Sequence, residues 1–310
     1  MAVSKTDNFL IALSADDPDT LYVYQFFWEA SGGSLTNRQN AWHKWTFPNK
    51  NIHWCDFIES TLFTTTSYVN GASTEYYLEA INVSRPPQNS DEVFLLDRRI
   101  SSSISTDIGT ASFSYNAATN KTTVTLPYRT VNTSQFVVIK QNAASSSEAN
   151  KRWIVAANVP AGVTSFVCDS IGDFSASSWT FGELFTFRYQ PPTIMPFDRA
   201  ATENTFVGSR SGRLQLKYID FYYNDSRYFQ VQVTPRFRDT STYEFDRRDP
   251  LNANIVLSEE EPFEQAKFRA HILSKNDQVT VELVNSSIDQ AKFVALEWTG
   301  LYFNIAGRKF

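Results

Sequence analysis

The clearest strand signal in the chain is Thr20-Leu21-Tyr22-Val23-Tyr24-Gln25-Phe26-Phe27-Trp28. Aromatic and β-branched residues dominate this run, and such residues fit the pleated, half-buried surface of a sheet. Asp16-Asp17-Pro18-Asp19 before the run and Ser31-Gly32-Gly33-Ser34 after it are rich in residues that favour turns. The dominant period of the pattern is two rather than 3.6, which predicts strands and not helices.

Similar strands continue outward from this run. Three further apolar runs follow it, and turn residues separate them: Ala41 to Phe47, Ile52 to Tyr68 and Thr74 to Ile81. Short strands joined by turns at this spacing are typical of a meander, and four such strands make one propeller blade. Residues 1–85 are therefore predicted to form a β-meander that resembles one or so propeller blades, too few to close a propeller.

Two proline pairs divide the rest of the chain, at Pro86-Pro87 and at Pro191-Pro192. Proline has no N–H to donate to a sheet, so both pairs are plausible domain boundaries. Residues 86–190 carry short Ser/Thr-rich strands and are predicted to form a small β domain. Residues 191–310 carry longer alternating strands with one apolar face, which predicts a β-sandwich-like C-terminal domain. The predicted fold class is all-β.

The composition excludes several classes of protein. The 310 residues include 11 Gly, 12 Pro and 2 Cys, too few for a collagen, a disordered linker or a disulfide scaffold. The two cysteines, Cys55 and Cys168, are expected to be buried free thiols.

The 28 basic and 33 acidic side chains give a net charge of -5, which does not suit a protein that binds nucleic acid through a basic surface. No run approaches the ~18 apolar residues of a membrane span, so no stable membrane insertion is expected.

The chemistry-bearing residues form no recognisable catalytic, cofactor or metal motif. His43, His53 and His271 are not spaced as metal-ligand pairs. Gly208-Ser209-Arg210-Ser211-Gly212 resembles a nucleophile elbow only superficially, because its central residue is arginine. A pair of carboxylates meeting across strands, as in a glycosidase, remains open, since the sequence singles out no one pair. We expect a protein that is not an enzyme and needs neither cofactor nor metal.

The aromatic content is high, with 7 Trp, 14 Tyr and 25 Phe. Four tryptophans lie close together in the first domain: Trp28, Trp42, Trp45 and Trp54. Most of these rings are expected to pack in the core, since large aromatic side chains suit sheet faces. An open meander nevertheless has edges and an uncovered face, which further domains or neighbouring subunits normally protect. The aromatic content thus favours an assembly protein over a self-contained enzyme.

Three separated segments, taken in order, carry a resemblance to a known family. The first is Gln39-Asn40-Ala41-Trp42-His43-Lys44-Trp45-Thr46-Phe47, with Leu21-Tyr22-Val23-Tyr24 before it and Tyr77-Leu78-Glu79 after it. The second is Gly212-Arg213-Leu214-Gln215-Leu216, which runs on to Tyr228-Phe229-Gln230-Val231-Gln232-Val233. The third is Leu296-Glu297-Trp298-Thr299-Gly300-Leu301-Tyr302-Phe303-Asn304, followed by Gly307-Arg308-Lys309. They resemble the tail tubular protein B, or tail nozzle, family of short-tailed T7-like bacteriophages.

This resemblance implies a structural component of the virion. Members of the family form a six-fold ring at the distal end of the phage tail, below the portal and the adaptor (gatekeeper) ring. The lumen of the ring conducts viral DNA during genome ejection without sequence-specific binding, and the outer surface helps to seat the tail fibres. The resemblance therefore implies a homohexamer with the adaptor protein and the tail fibres as partners, made in the cytoplasm of the host bacterium and located in the virion tail.

The resemblance is to the C-terminal part of the family chain, since family members are usually much longer. It implies either the product of a split gene or a fragment of a longer nozzle. Two other functions remain as alternatives, a host-glycan-binding tail adhesin and a polysaccharide-degrading tail enzyme.

The candidate interface residues are aromatic or charged, because Trp, Tyr and Arg dominate the energetics of interfaces. They are Trp42, Trp45, Glu297, Trp298, Tyr302 and Arg308. For each tryptophan, packing within its own subunit is the stronger expectation.

Overall fold

A computed structural model of the chain consists almost entirely of β-strands in several antiparallel sheets, which confirms the predicted all-β class. Within the described residues the single helix is a 3₁₀ turn, η1, at Asn276–Gln278. The structure describes residues 1–4, 6–31, 34–47, 49–70, 73–83, 96–101, 111–131, 136–141, 152–157, 159–175, 178–195, 197–199, 206–208, 212–224, 226–246, 266–289 and 291–304.

The strands of the described residues are, in chain order, β1 (Ala2–Ser4), β2 (Phe9–Leu13), β3 (Thr20–Ser31), β4 (Ser34–Thr46), β5 (Asn51–Ile58), β6 (Thr61–Asn70), β7 (Ser73–Asn82), β8 (Asp97–Ser101), β9 (Ser112–Asn116), β10 (Lys121–Thr125), β11 (Phe136–Gln141), β12 (Arg152–Ala157), β13 (Ser165–Ile171), β14 (Ser178–Glu183), β15 (Phe187–Tyr189), β16 (Phe197–Arg199), β17 (Phe206–Gly208), β18 (Gly212–Asn224), β19 (Tyr228–Pro235), β20 (Ser241–Asp246), β21 (Ala266–Lys275), β22 (Val279–Asn285) and β23 (Lys292–Asn304).

The chain divides into two compact units that do not follow the sequence linearly. Unit 1 comprises Met1–Glu92, Ser105–Phe136 and Ala156–Ala176; unit 2 comprises Val93–Ile104, Val137–Val155 and Ser177–Phe310. The division into three domains at 1–85, 86–190 and 191–310 stays a prediction.

Unit 1 begins with two sheets that share one hydrophobic core. The first is a four-stranded meander in the order β1-β2-β3-β4, and the second is a three-stranded meander in the order β5-β6-β7. Buried side chains of both sheets meet between them: Ala2, Ile11, Leu21, Val23, Ile52, Cys55 and Leu62. Because side chains alternate along a strand, the residues between these positions point to the two outer faces of unit 1.

The remaining sheet of unit 1 has the order β9-β10-β13. Its centre is held by Thr122, whose hydroxyl donates a 2.7 Å hydrogen bond to the carbonyl of Gly172 and accepts one of 3.1 Å from the backbone N–H of Phe174. Thr122 is fully buried, so these two bonds satisfy a hydroxyl that water does not reach.

Unit 2 is built around two sheets that bury a second, larger core. The sheets have the orders β15-β22-β19-β20 and β21-β18-β23. Their inner faces meet through Leu214, Leu216, Ile219, Phe221, Tyr223, Phe229, Val231, Val233, Ala270, Ile272, Val281 and Leu283. The alternation seen in the sequence around Arg213 therefore places leucine and isoleucine inward and charged residues outward. A further sheet, in the order β12-β11-β14-β8, falls almost entirely in unit 2.

One predicted run differs from the structure. The stretch from Ile52 to Tyr68 was expected as one apolar run, but it forms β5 and β6 with a tight turn at Glu59-Ser60. Glu59 takes a φ of 53°, a left-handed conformation that glycine or asparagine usually signals. The backbone carbonyl of Ser60 accepts a 3.0 Å hydrogen bond from the N–H of Val83, which holds the turn in place.

Candidate assembly surfaces

A small cavity and two buried thiols stand out among the concave and titratable features of the described residues. The cavity lined by residues 190–194 and by side chains of β18 and β22 holds about 30 Å³, room for a few water molecules. No group of three His, Cys, Asp or Glu side chains in the described part of the chain could hold a metal ion. Cys55 and Cys168 are free and buried, and burial raises the pKa of Cys168 to about 11, so this thiol stays protonated and unreactive.

The structure brings three candidate interface residues, Glu297, Trp298 and Tyr302, onto one strand, β23. This strand has 13 residues and lies at the edge of the sheet β21-β18-β23. Trp298 and Tyr302 are 40% and 38% exposed, and Leu301 and Phe303 on the same strand are exposed as well. A long edge strand offers backbone N–H and C=O groups to another chain. The location and composition of β23 therefore suit an intermolecular contact.

A polar network surrounds Asp220 on the outer face of this sheet. Arg269 Nε and Nη2 donate hydrogen bonds of 2.7 Å and 2.8 Å to the two carboxylate oxygens of Asp220. The guanidinium also lies 3.8 Å from the ring centre of Tyr218. Tyr222 donates a 2.8 Å hydrogen bond through its hydroxyl to the carboxylate of Glu297. Asp220 is only 5% exposed, and its hydrogen bonds to the Arg269 guanidinium hold the pKa of the Asp220 carboxyl below its ordinary value.

We expect the stabilising contribution of Asp220 to be constant at neutral pH and to disappear in acid. Because its pKa is lower in the folded than in the unfolded chain, the contribution is complete above the unfolded value of about 3.9 and is lost as the pH falls through the folded value. Asp220→Asn should therefore lower the urea midpoint of unfolding by a constant amount from pH 7 to about pH 5, and the difference from the unsubstituted chain should shrink below about pH 4.

The matched control for this prediction is Asp239→Asn. Asp239 is an exposed aspartate in the same unit, and it makes no ion pair with any residue that the structure describes. Its substitution should leave the urea midpoint unchanged at every pH. A midpoint difference for Asp220→Asn that persists unchanged below pH 3 would show that the ion pair is not its cause.

Trp42 belongs to a continuous apolar row on the outer face of the sheet β1-β2-β3-β4. Direct cross-strand partners give the row Val3, Leu10, Tyr24 and Trp42, one residue from each strand. The rings of Tyr24 and Trp42 are 4.8 Å apart, and Trp42 is 63% exposed. We call the surface formed by these four residues the Trp42 face. Val3 is exposed as well, whereas Leu10 and Tyr24 are half-buried. The row therefore crosses the whole sheet and is exposed on both edge strands, and an exposed apolar patch of this kind marks an interaction surface.

The outer face of the sheet β5-β6-β7 is apolar as well. In the strand register Trp54 lies beside Thr65, which lies beside Leu78, and alternation places three more large side chains on the same side. Five large hydrophobic residues on this face are 49% to 69% exposed, and we call their surface the Leu78 face: Trp54, Ile58, Val69, Tyr76 and Leu78.

The two other candidate residues differ in their location. Trp45 is partly buried against the core of unit 1, opposite Leu21, which fits packing within its own subunit. Arg308 lies outside the described residues.

Sequence reasoning did not identify the residues of the Leu78 face. In β7, Tyr76 and Leu78 alternate with Tyr77 and Glu79, so both sides of the strand carry large side chains. Only the pairing with β6 shows which side meets the core. Trp54 could have indicated this face. Its neighbours Ile52 and Cys55 on the same strand point into the core, whereas Trp54 points outward.

Within the part of the chain that the structure describes, no helix is long and apolar enough to cross a membrane. A comparison with curated proteins found no match. A scan against protein-family models found one family, described as bacteriophage nozzle protein, whose model matches residues 1–308. This match covers nearly the whole chain, including almost all of both units and, apart from Lys309, the three segments that carried the resemblance. The chain therefore belongs to the bacteriophage nozzle protein family.

Proposed function

We propose that the chain assembles into a homohexameric ring at the distal end of the phage tail and forms part of the conduit for genome ejection. Membership of the nozzle family establishes a structural role in the tail and therefore a location in the virion. Six-fold closure, the passage of DNA and the identity of the neighbouring proteins are our proposal.

The observation that carries this proposal is the amount of apolar surface left uncovered on both units. Unit 1 exposes Trp42 and Leu78 to 63% each, and unit 2 exposes Trp298 and Phe303 along an edge strand. Monomeric soluble proteins rarely leave such contiguous patches open, whereas subunits of an assembly cover them with a neighbour. Head-to-tail contacts between identical subunits close into a ring when a whole number of equal rotations adds up to 360°.

The charge of the chain suits a conduit. A net charge of -5 per subunit argues against a ring that is strongly cationic, and a duplex passes a weakly acidic surface without being held. A strongly cationic lumen would bind phosphates and slow ejection. The function we propose is accordingly mechanical and involves no catalysis. The adaptor (gatekeeper) ring above and the tail fibres at the outer surface are the proposed protein partners, joined during assembly in the host cytoplasm. Nothing in the described surfaces favours a glycan-binding or polysaccharide-degrading role.

The direct test is the oligomeric state of the purified chain, alone and with its tail neighbours. We expect light scattering to give six times the 35.3 kDa mass of one chain, and negative-stain images to show rings with a central hole. Polymers that fail to close, or a monomer that stays a monomer in the presence of the other tail proteins, would contradict the hexameric conduit. Release of reducing sugar from host polysaccharide would contradict the non-catalytic role.

A further inference from the structure

Unit 1 has an uncovered apolar surface on each of its two outer sides. The sheets β1-β2-β3-β4 and β5-β6-β7 pack their inner faces on the shared core, so the Trp42 face and the Leu78 face belong to opposite sides of one packed pair of sheets. A partner that covers only one of them leaves the other exposed. Two neighbouring copies of the same chain can together cover both, because each copy brings one face of each kind.

Charge distinguishes the two faces in a complementary way. Lys44 lies two residues after Trp42 on β4 and shares its face, since its cross-strand partner is Tyr22. Asp56 lies two residues after Trp54 on β5 and shares the Leu78 face, opposite Phe63. Both charged side chains are exposed, and neither forms an ion pair with a described residue. Trp42 and Lys44 thus share one face and Trp54 and Asp56 share the other, each pair on an edge strand, and Lys44 and Asp56 have opposite charge. The carboxylate of Asp17 also lies near the Trp42 face, where it accepts a hydrogen bond from the Tyr22 hydroxyl.

This arrangement favours unlike faces over like faces. Two Trp42 faces placed together would bring two lysines into one apolar contact, and two Leu78 faces would bring two aspartates together. Like charges in such a contact are costly, whereas Lys44 opposite Asp56 is favourable. Contact of a Trp42 face with a Leu78 face also leaves one free face of each kind on the pair, so the same contact repeats with the next copy.

We propose that the Trp42 face of one subunit packs on the Leu78 face of the next, so that the sheets of neighbouring copies form one continuous stack. The contact repeats between subunits the face-to-face packing that the two sheets already make inside unit 1. Trp42 and Trp54 supply the large aromatic surface, and the pair Lys44–Asp56 sets which faces meet. This inference rests on the proposed ring and specifies the surfaces that build it.

The test uses the full chain with one face disabled at a time. Trp42→Arg places a charge on the Trp42 face, and Leu78→Arg places one on the Leu78 face; both positions are exposed, so folding should be retained. Each variant should lose the ring and raise the dissociation constant between subunits on the order of 30-fold, the effect of losing an interface hot spot. Phe237→Arg is the matched control, because Phe237 is 91% exposed in unit 2 and lies on neither face.

Mixing the two disabled variants gives the decisive result. Trp42→Arg retains an intact Leu78 face and Leu78→Arg retains an intact Trp42 face, so an equimolar mixture should form a 1:1 dimer that cannot grow. A mixture that stays monomeric, although each variant has lost the ring, overturns the head-to-tail contact. Rings that persist in both variants also overturn it, while the proposed function stands, because the ring is then built through other surfaces.

A charge exchange tests the pairing without adding bulk or removing aromatic area. Lys44→Asp and Asp56→Lys should each weaken association, and the chain that carries both changes should regain the ring. Failure of the double variant to regain it overturns the Lys44–Asp56 contact. If the unsubstituted chain forms no ring at all, the proposed function fails first; if that monomer instead binds another tail protein through these faces, a second copy is not their occupant.

Discussion

Replacing Phe229 with alanine should lower the free energy of unfolding of unit 2 by about 3–5 kcal/mol. Phe229 is completely buried on β19, between the two sheets. Its ring centre lies 4.7 Å from that of Phe245, 4.9 Å from Phe293, 5.3 Å from Phe268 and 5.6 Å from Tyr223. These four rings come from four different strands, so alanine would open a cavity that no single strand can close by moving.

Equilibrium urea unfolding of the full chain, followed by circular dichroism, measures this loss. Phe237→Ala is the matched control, because it removes the same atoms from a phenylalanine of unit 2 that is 91% exposed. Its effect should stay within about 0.5 kcal/mol, as for surface substitutions in general. A Phe229→Ala chain that unfolds at the same urea concentration as this control would show that the aromatic cluster does not hold the two sheets together.

The sequence predicted the positions of strands wherever a two-residue alternation of side chains was bounded by residues that favour turns. The run from Thr20 to Trp28 lies within β3, which ends at Ser31, and β4 begins at Ser34. The glycine pair that was expected to end the strand lies outside the described residues. β14 was not predicted, because only Trp179 and Phe181 alternate in it and small polar residues surround them. The alternation of apolar and polar residues in β14 is too short to predict a strand, and its pairing with β8 determines its conformation.

The candidate interface was predictable in its residue types and only partly in its residues. Trp42 and Trp298 were candidates because tryptophan is common at interfaces, and both are exposed in the structure. Trp45, three residues after Trp42, instead packs on the core. Which tryptophan of a strand faces inward depends on the partner strand. The sequence does not show which side of its strand Leu78 faces, since an exposed leucine and a core leucine look alike until the register is known.

Unit 2 also shows how a single glycine can be required by packing rather than by conformation. Gly300 lies on β23 opposite Leu216 of the central strand β18. A Cβ atom at this position would lie 2.6 Å from the carbonyl oxygen of Gln215 and 3.1 Å from a methyl carbon of Leu214. The carbonyl belongs to the backbone of a strand that is paired on both sides, so it cannot withdraw. The sequence alone shows only a glycine inside a strand, which indicates a close approach or a bulge without deciding between them.

Gly300→Val should therefore destabilise unit 2 by about 3 kcal/mol, the upper part of the range for inserting side-chain atoms into a packed site. We expect β23 to separate from β18 beyond Gly300, so that amide hydrogen exchange rises at Leu301 and Phe303 while strands β19 and β22 stay protected. Ala295→Val adds similar bulk at an exposed position of the same strand and should change neither stability nor exchange. Unchanged exchange at Leu301 in the Gly300→Val chain would show that β23 accommodates a side chain there, and that the close approach to Gln215 does not fix the edge of this sheet.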